Sequence, residues 1–139
     1  MQKIVIDTNV FVSSLIQRSY PYRIIYELFI EDKFQLCISP ALLVEYYDVL
    51  ARPKFAKYPD FIVKAEMLLV DIEIKSIKYD PQIKLDVVSD LDDNKIIELA
   101  DESSADFIIT GNTSDFTFQT YKKTRIVTPK EYWENHQAV

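Results

Sequence analysis

A uniformly apolar triplet, Ile4-Val5-Ile6, stops abruptly at Asp7, Thr8 and Asn9. A short run with no polar alternation has no solvent-facing side, so it reads as a strand covered on both faces, the situation of a parallel sheet. Parallel strands in turn require long crossover connections, usually helical. An acid just past the carboxyl end of such a strand lies where open α/β sheets bind their ligands.

The rest of the chain alternates in the same way. Residues 10–17 are helix-compatible, with Asp7 or Thr8 as the cap. Pro21 opens a second helix through about Asp32, with Ile24, Ile25, Leu28 and Phe29 on its apolar face. Residues 34–38 read as the second strand. Ser39-Pro40 is a cap followed by proline at the first helical position, opening a helix to about Ala51. Arg52-Pro53-Lys54-Phe55 breaks it, and another helix is expected from about Asp60 to Asp71. Ile72, Ile74, Ile77 and Tyr79 alternate, which predicts a third strand over 72–79. The acidic, cap-rich residues 89–93 lead into a helix over 94–103. Residues 107–110 form the fourth strand, 125–127 a short fifth, and Pro129 opens a terminal helix. This order is an α/β signature with a parallel sheet.

At 139 residues the chain is expected to be a single domain over 1–139, burying roughly two-thirds of its unfolded surface. It holds one glycine, and neither GxGxxG nor GxxxxGK[ST] occurs, which argues against the glycine-rich modes of nucleotide binding. The lone Cys37, inside Phe34-Gln35-Leu36-Cys37-Ile38, reads as a small core residue and fits a reducing compartment. Neither a leader nor an apolar run of membrane-spanning length is expected, so the predicted location is cytoplasmic. A net charge of −6 taken alone disfavours a nucleic-acid binder. Acids gathered around a cation weaken that objection, as do local basic clusters at Arg52, Lys54 and Lys57 and at Lys122, Lys123 and Arg125.

The acids carry the chemistry. Asp7 follows strand one, Glu45 lies on the helix after strand two, Asp93 begins the helix before strand four, and Asp115 follows strand four. Each has a plain alternative. Asp7 fits a helix cap, Glu45 a solvated helix face, Asp90, Asp92 and Asp93 a cluster complementing a helix dipole, and Asp115 a turn cap. Should strands one and four be neighbours, all four acids converge on one edge of the sheet. Converging carboxylates repel and are costly to desolvate, and a hard cation such as Mg²⁺ or Mn²⁺ relieves both costs. No Ser–His or Cys–His nucleophile is credible, because the one histidine, His136, lies in the terminal tail.

Four stretches, in order, resemble the PIN domains, and within them the toxin-like branch of prokaryotic toxin–antitoxin pairs. They are Ile4-Val5-Ile6-Asp7-Thr8-Asn9-Val10, Ser39-Pro40-Ala41-Leu42-Leu43-Val44-Glu45, Asp92-Asp93-Asn94-Lys95-Ile96-Ile97-Glu98-Leu99-Ala100 and Ile108-Ile109-Thr110-Gly111-Asn112-Thr113-Ser114-Asp115-Phe116. Residues 49–55 also look like the branch. The resemblance implies a three-layer α/β/α fold around a mainly parallel sheet of about five strands. It implies metal-dependent cleavage of RNA phosphodiesters, with Mg²⁺ or Mn²⁺ held by Asp7, Glu45, Asp93 and Asp115. PIN domains often carry Asp two residues after the strand-end Thr; that position here is Asn112, and Asp115 is taken as its replacement.

Thr8, Asn9, Thr110 and Asn112 are then expected to orient the acids or to contact phosphate, and Arg52 and Lys54 to contact RNA. Partners implied by the resemblance are RNA, a cognate antitoxin and a second copy in a homodimer, using apolar surface on the helices over 21–32 or 40–51. The alternative reading is a catalytically degenerate PIN domain that binds RNA or protein. A phosphatase-like fold is less well matched, since the position two residues past Asp7 is Asn9. The nine Tyr and eight Phe are read mainly as core.

Overall fold

The computed structural model describes residues 1–84, 91–112, 116 and 119–138, with residues 91–93 described as helical backbone. Six strands, β1 (Lys3–Ile6), β2 (Gln35–Ile38), β3 (Ile77–Lys78), β4 (Phe107–Ile109), β5 (Thr120–Tyr121) and β6 (Thr124–Val127), form one sheet in the order β3-β2-β1-β4-β6-β5. Among the described residues all strand pairings are parallel except the β5–β6 hairpin. Ile4, Val5 and Ile6 are fully buried, as a strand with helices over both faces requires.

The helices are α1 (Thr8–Ile16), α2 (Tyr20–Arg23, continuing as a π-helical stretch Ile24–Phe29), α3 (Pro40–Leu50), α4 (Phe61–Lys75), α5 (Leu91–Ser103) and α6 (Pro129–Asn135). Right-handed crossovers from β1 leftward to β3 set α1, α2 and α4 on one face, and the return from β3 to β4 sets α5 on the other. The packing agrees: α2 meets α6 and α1 meets α4, whereas α5 covers β1, β2 and β4. The result is the expected α/β/α arrangement. Chain direction across the sheet reverses between β1 and β4, so the crevice at their carboxyl ends is the topological switch point.

Local signals account for most boundaries. Ser39 Oγ accepts from the Leu42 amide at 3.2 Å and Pro40 occupies the first turn of α3. Thr128 and Glu131 form a reciprocal capping box at the start of α6, both bonds 3.1 Å. Two expectations are corrected. Ile72 and Ile74 belong to α4, which runs on to Lys75. Ile72 extends the buried Ala65, Leu68 and Leu69 stripe at helical spacing, while Ile74 is 75% exposed, so their apparent alternation comes from opposite sides of one helix. The sheet also gains β5, two residues that pair with β6 across a turn where Lys122 takes φ 51°.

Candidate active site at the switch point

Asp7 sits where β1 becomes α1. Its amide still donates to the Ile109 carbonyl at 2.9 Å, so the β1–β4 ladder carries through to this residue and fixes its backbone. It occupies the N-cap position of α1, yet its side chain makes no capping hydrogen bond. The carboxylate turns instead toward β4, where Thr110 Oγ1 donates to Asp7 Oδ2 at 2.8 Å. Thr110 is fully buried, its amide is held by the Val127 carbonyl at 3.0 Å, and its hydroxyl accepts from the Asn112 amide at 3.1 Å. Both hydroxyl functions of Thr110 are therefore assigned, which fixes its rotamer and the carboxylate that it holds.

Glu45 arrives from α3. This helix packs on α1 and α4 as well as on α5, so it bridges elements from both faces of the sheet. It is pinned by Tyr46, whose buried hydroxyl donates to the Ile6 carbonyl at 2.5 Å and whose ring meets Phe11 edge-on at 4.9 Å. Burial first, then the nearby charges of Asp7 and Glu45, hold the Tyr46 hydroxyl well above the ordinary phenol range. It therefore stays a donor. One residue before this anchor, the Glu45 carboxylate accepts from the Thr8 hydroxyl, next in sequence to Asp7, through Oε2. Its Oε1 takes the Lys95 ammonium of α5 at 2.7 Å, with the two side chains 20% and 21% exposed respectively.

The condition set by the sequence is met: β1 and β4 are neighbours. Asp7 and Glu45 both stand at the switch point, linked through Thr8. Asp93 lies in the first turn of α5 by its backbone, whereas its side chain, together with Asp90 and Asp115, lies outside the described residues. Among the described residues no three His, Cys, Asp or Glu side chains converge as a metal cage. The donors that are present suit a hard divalent ion: two carboxylates, two threonine hydroxyls, no thiol or imidazole. Glu45 already holds one cation, the Lys95 ammonium.

The remaining candidates separate. Thr8 and Thr110 orient the two acids, and Asn112 supports Thr110 through its backbone. Asn9 is exposed on the first turn of α1. Arg52 pairs with Asp48 one turn back at 3.2 Å, both exposed, and the Lys54 ammonium lies over the Phe55 ring at 5.1 Å. Among the described residues neither reaches the carboxylates. Cys37 is fully buried, and burial pushes its thiol up, as a core residue requires. Sequence reasoning passed over Lys95, whose role depends on α3 and α5 meeting, and over Tyr46, which looks like ordinary core until its hydroxyl finds the end of β1.

The described residues include no helix long and apolar enough to cross a membrane. A PIN domain family model matches residues 3–114. An uncharacterized protein of Methanocaldococcus jannaschii, MJ1680, is similar to this chain at 33% identity over 144 aligned residues, covering 97% of the chain and 92% of the relative. The match takes in β1 through β4 and every element that builds the switch-point site. The chain belongs to the PIN domain family, whose members are generally nucleases and typically use divalent metals.

Proposed function

We propose that this chain is a divalent-metal-dependent endoribonuclease, acting as the toxin of a toxin–antitoxin pair. The observation that supports it is the convergence of Asp7 and Glu45, each oriented by a buried threonine, at the β1–β4 switch point of a PIN domain. Asp7 and Glu45 would hold Mg²⁺ or Mn²⁺, with Asp93 from the first turn of α5 and Asp115 completing the set. When bound, such an ion activates a water, polarises the phosphoryl oxygen and stabilises the leaving oxyanion. Thr110 holds Asp7 through Oδ2, and Thr8 holds Glu45 through Oε2. Tyr46 keeps α3 seated so that both acids address the same phosphate. Arg52 and Lys54 would hold flanking phosphates along the loop after α3, and the reading also includes a cytoplasmic setting.

A homodimer and an antitoxin complex belong to the same reading. The helix over 40–51 is one of the two surfaces expected for them, and α4 offers apolar surface as well. Val44 and Tyr47 are exposed on α3, and Val63, Met67, Val70 and Ile74 on α4. A degenerate binding module is the second reading, and it draws on Asn112 at a position where the family often has Asp.

The test is cleavage of an oligoribonucleotide pool by wild type with Mg²⁺ or Mn²⁺, by wild type in EDTA, and by Asp7→Asn. Cleavage should need the metal and fall at least about a hundredfold in the variant, in line with the loss of a group that stabilises charge in the transition state. Cleavage that persists in EDTA, or an Asp7→Asn protein as active as wild type, sinks the nuclease reading. A folded wild type inactive on every RNA favours the binding module.

A further inference from the structure

We propose that the cavity between α1, α2 and α4 is a nucleotide site with a preference for guanine, separate from the switch-point crevice. The base stands against Tyr22 and Tyr26, its hydrogen-bonding edge meets Asp71, and its phosphate meets Arg18 and Lys64.

The cavity holds about 440 Å³, within the roughly 300–1,000 Å³ of small-molecule sites. Its floor is apolar, with Leu15 of α1 and Leu68 of α4 both buried. Tyr22 and Tyr26 form one wall, their ring centroids 4.8 Å apart and their planes tilted by 34°. Tyr26 lies in the π-helical stretch, where the Ile30 amide reaches back five residues to the Ile25 carbonyl at 2.9 Å. Such widened turns are rare and recur at functional sites. A tyrosine wall suits a nucleobase, because every base has a face to stack.

Charge narrows the class of ligand. The chain carries −6 overall, yet this cavity is lined by two cations and one acid. Arg18 and Lys64 are exposed, and among the described residues neither makes an ion pair. The Arg18 guanidinium lies over the Tyr22 ring at 5.3 Å, which places a fork of N–H donors beside the aromatic wall. A flat base joined to a phosphate matches both features. The opposite charge selects the base. An ionised Asp71 only accepts hydrogen bonds. Tyr26 is near enough to feel its charge: burial first, then Tyr22 and Asp71, holds the Tyr26 hydroxyl above the ordinary phenol range, so it stays a donor. Guanine offers a carbonyl to that hydroxyl and two adjacent N–H donors to the carboxylate. Adenine and cytosine offer the carboxylate one amino group, and uracil one ring N–H between two carbonyls.

The source of the nucleotide is a free guanine nucleotide or a guanosine in an RNA strand. Asp7 caps one end of α1 and the cavity lies at the other, along a nine-residue helix about 13 Å long. A single strand in the crevice spans that length with on the order of four stacked nucleotides.

The experiment is calorimetry in EDTA with GMP, guanosine, AMP, UMP and inorganic phosphate, on wild type, Tyr22→Ala, Asp71→Asn and the double variant Arg18→Gln with Lys64→Gln. Wild type should bind GMP about tenfold tighter than AMP, UMP or guanosine, the worth of about one good polar contact. Tyr22→Ala should lose about tenfold in GMP affinity. Asp71→Asn should bind GMP and AMP alike. The double variant should bind GMP and guanosine alike, and its changes are both at exposed positions, so it carries the comparison if another variant does not fold. Binding is then measured for an oligouridylate and for the same strand with one internal guanosine. Guanosine-dependent binding that GMP competes away assigns the site to the RNA strand; GMP binding that neither oligonucleotide disturbs assigns it to the free nucleotide, and both support the site. No GMP binding at millimolar concentration overturns it, as does GMP affinity that none of the variants changes. Binding of N-acetyltryptophanamide in place of every nucleotide also overturns it and gives the cavity to a protein side chain. The mononucleotide arms use no metal and no cleavage, so their outcome is separate from that of the nuclease reading.

Discussion

Thr110 Oγ1 donates to Asp7 Oδ2 at 2.8 Å across two neighbouring parallel strands, while the same oxygen accepts from the Asn112 amide at 3.1 Å. The residue after β4 thus sets the orientation of the residue after β1. Loss of a group that orients a metal ligand typically costs about ten- to a hundredfold in metal affinity or activity.

Thr110→Val keeps the branched shape and deletes that donor. Mn²⁺ affinity and RNA cleavage should fall about ten- to a hundredfold, the usual effect of losing a ligand's supporting hydrogen bond. Stability should drop by about 1 kcal/mol, the usual net worth of a lost hydrogen bond. Thr110→Ser restores the hydroxyl and should recover most of the metal affinity. Isothermal titration and urea melts give both quantities, and a valine variant with wild-type affinity ends the orienting role.

The loop after α3 is tested through salt. Arg52 and Lys54 are exposed, and the Arg52–Asp48 pair at 3.2 Å is a surface contact that contributes little to stability. Replacing both with Ala should weaken binding of single-stranded RNA and flatten its dependence on log salt by roughly 0.7 per lost contact. Mn²⁺ affinity should not change. An unchanged salt slope makes these residues a solvated loop.

The sheet was legible because its strands are short apolar runs ended by polar or turn residues, and because Ser39-Pro40 and Thr128-Pro129 mark helix starts by mechanism. Asp7 was legible for the same reason: it closes the first run. Ile72 misled because residues two apart on a helix can mimic a strand when each faces a different environment. β5 escaped because two residues, Thr120 and Tyr121, carry no periodicity at all. Lys95 and the Tyr46 hydroxyl escaped for a deeper reason. Their partners, Glu45 and the Ile6 carbonyl, are set by how helices cross the carboxyl edge, and no local spacing encodes that crossing.

Alkaline pH probes the opposite side of the core. Tyr132 is buried, donates to Gln2 Oε1 at 2.6 Å, and is pushed up to about 12, by burial first and then by Asp106. The folded state thus keeps its proton after the unfolded state, at an ordinary value near 10, has lost it. A raised folded value gives stability that is complete below pH 10 and is lost as pH rises toward 12. The contribution is up to about 3 kcal/mol. Tyr132→Phe should be less stable than wild type near neutrality, through the lost bond to Gln2, yet decline less steeply over that alkaline window. Parallel urea midpoints against pH in the two proteins would contradict the assignment.

Tyr46→Phe asks whether the site depends on how α3 is seated. The ring and its edge-on contact with Phe11 remain, so packing is kept, and only the donor to the Ile6 carbonyl is removed. Leaving a buried carbonyl short of a donor costs about 1–3 kcal/mol, read as a lower urea midpoint with an unchanged slope. The effect should not stop at stability. Tyr46 follows Glu45 directly, and its anchor lies one residue before Asp7, so the same hydroxyl fixes the spacing between the two carboxylates. Mn²⁺ affinity should therefore fall several-fold in Tyr46→Phe, whereas a substitution of similar cost far from the crevice, Leu68→Val on α4, should leave it unchanged. A Tyr46→Phe protein that loses stability but binds Mn²⁺ as wild type does would show that Glu45 is positioned by Thr8 and Lys95 alone.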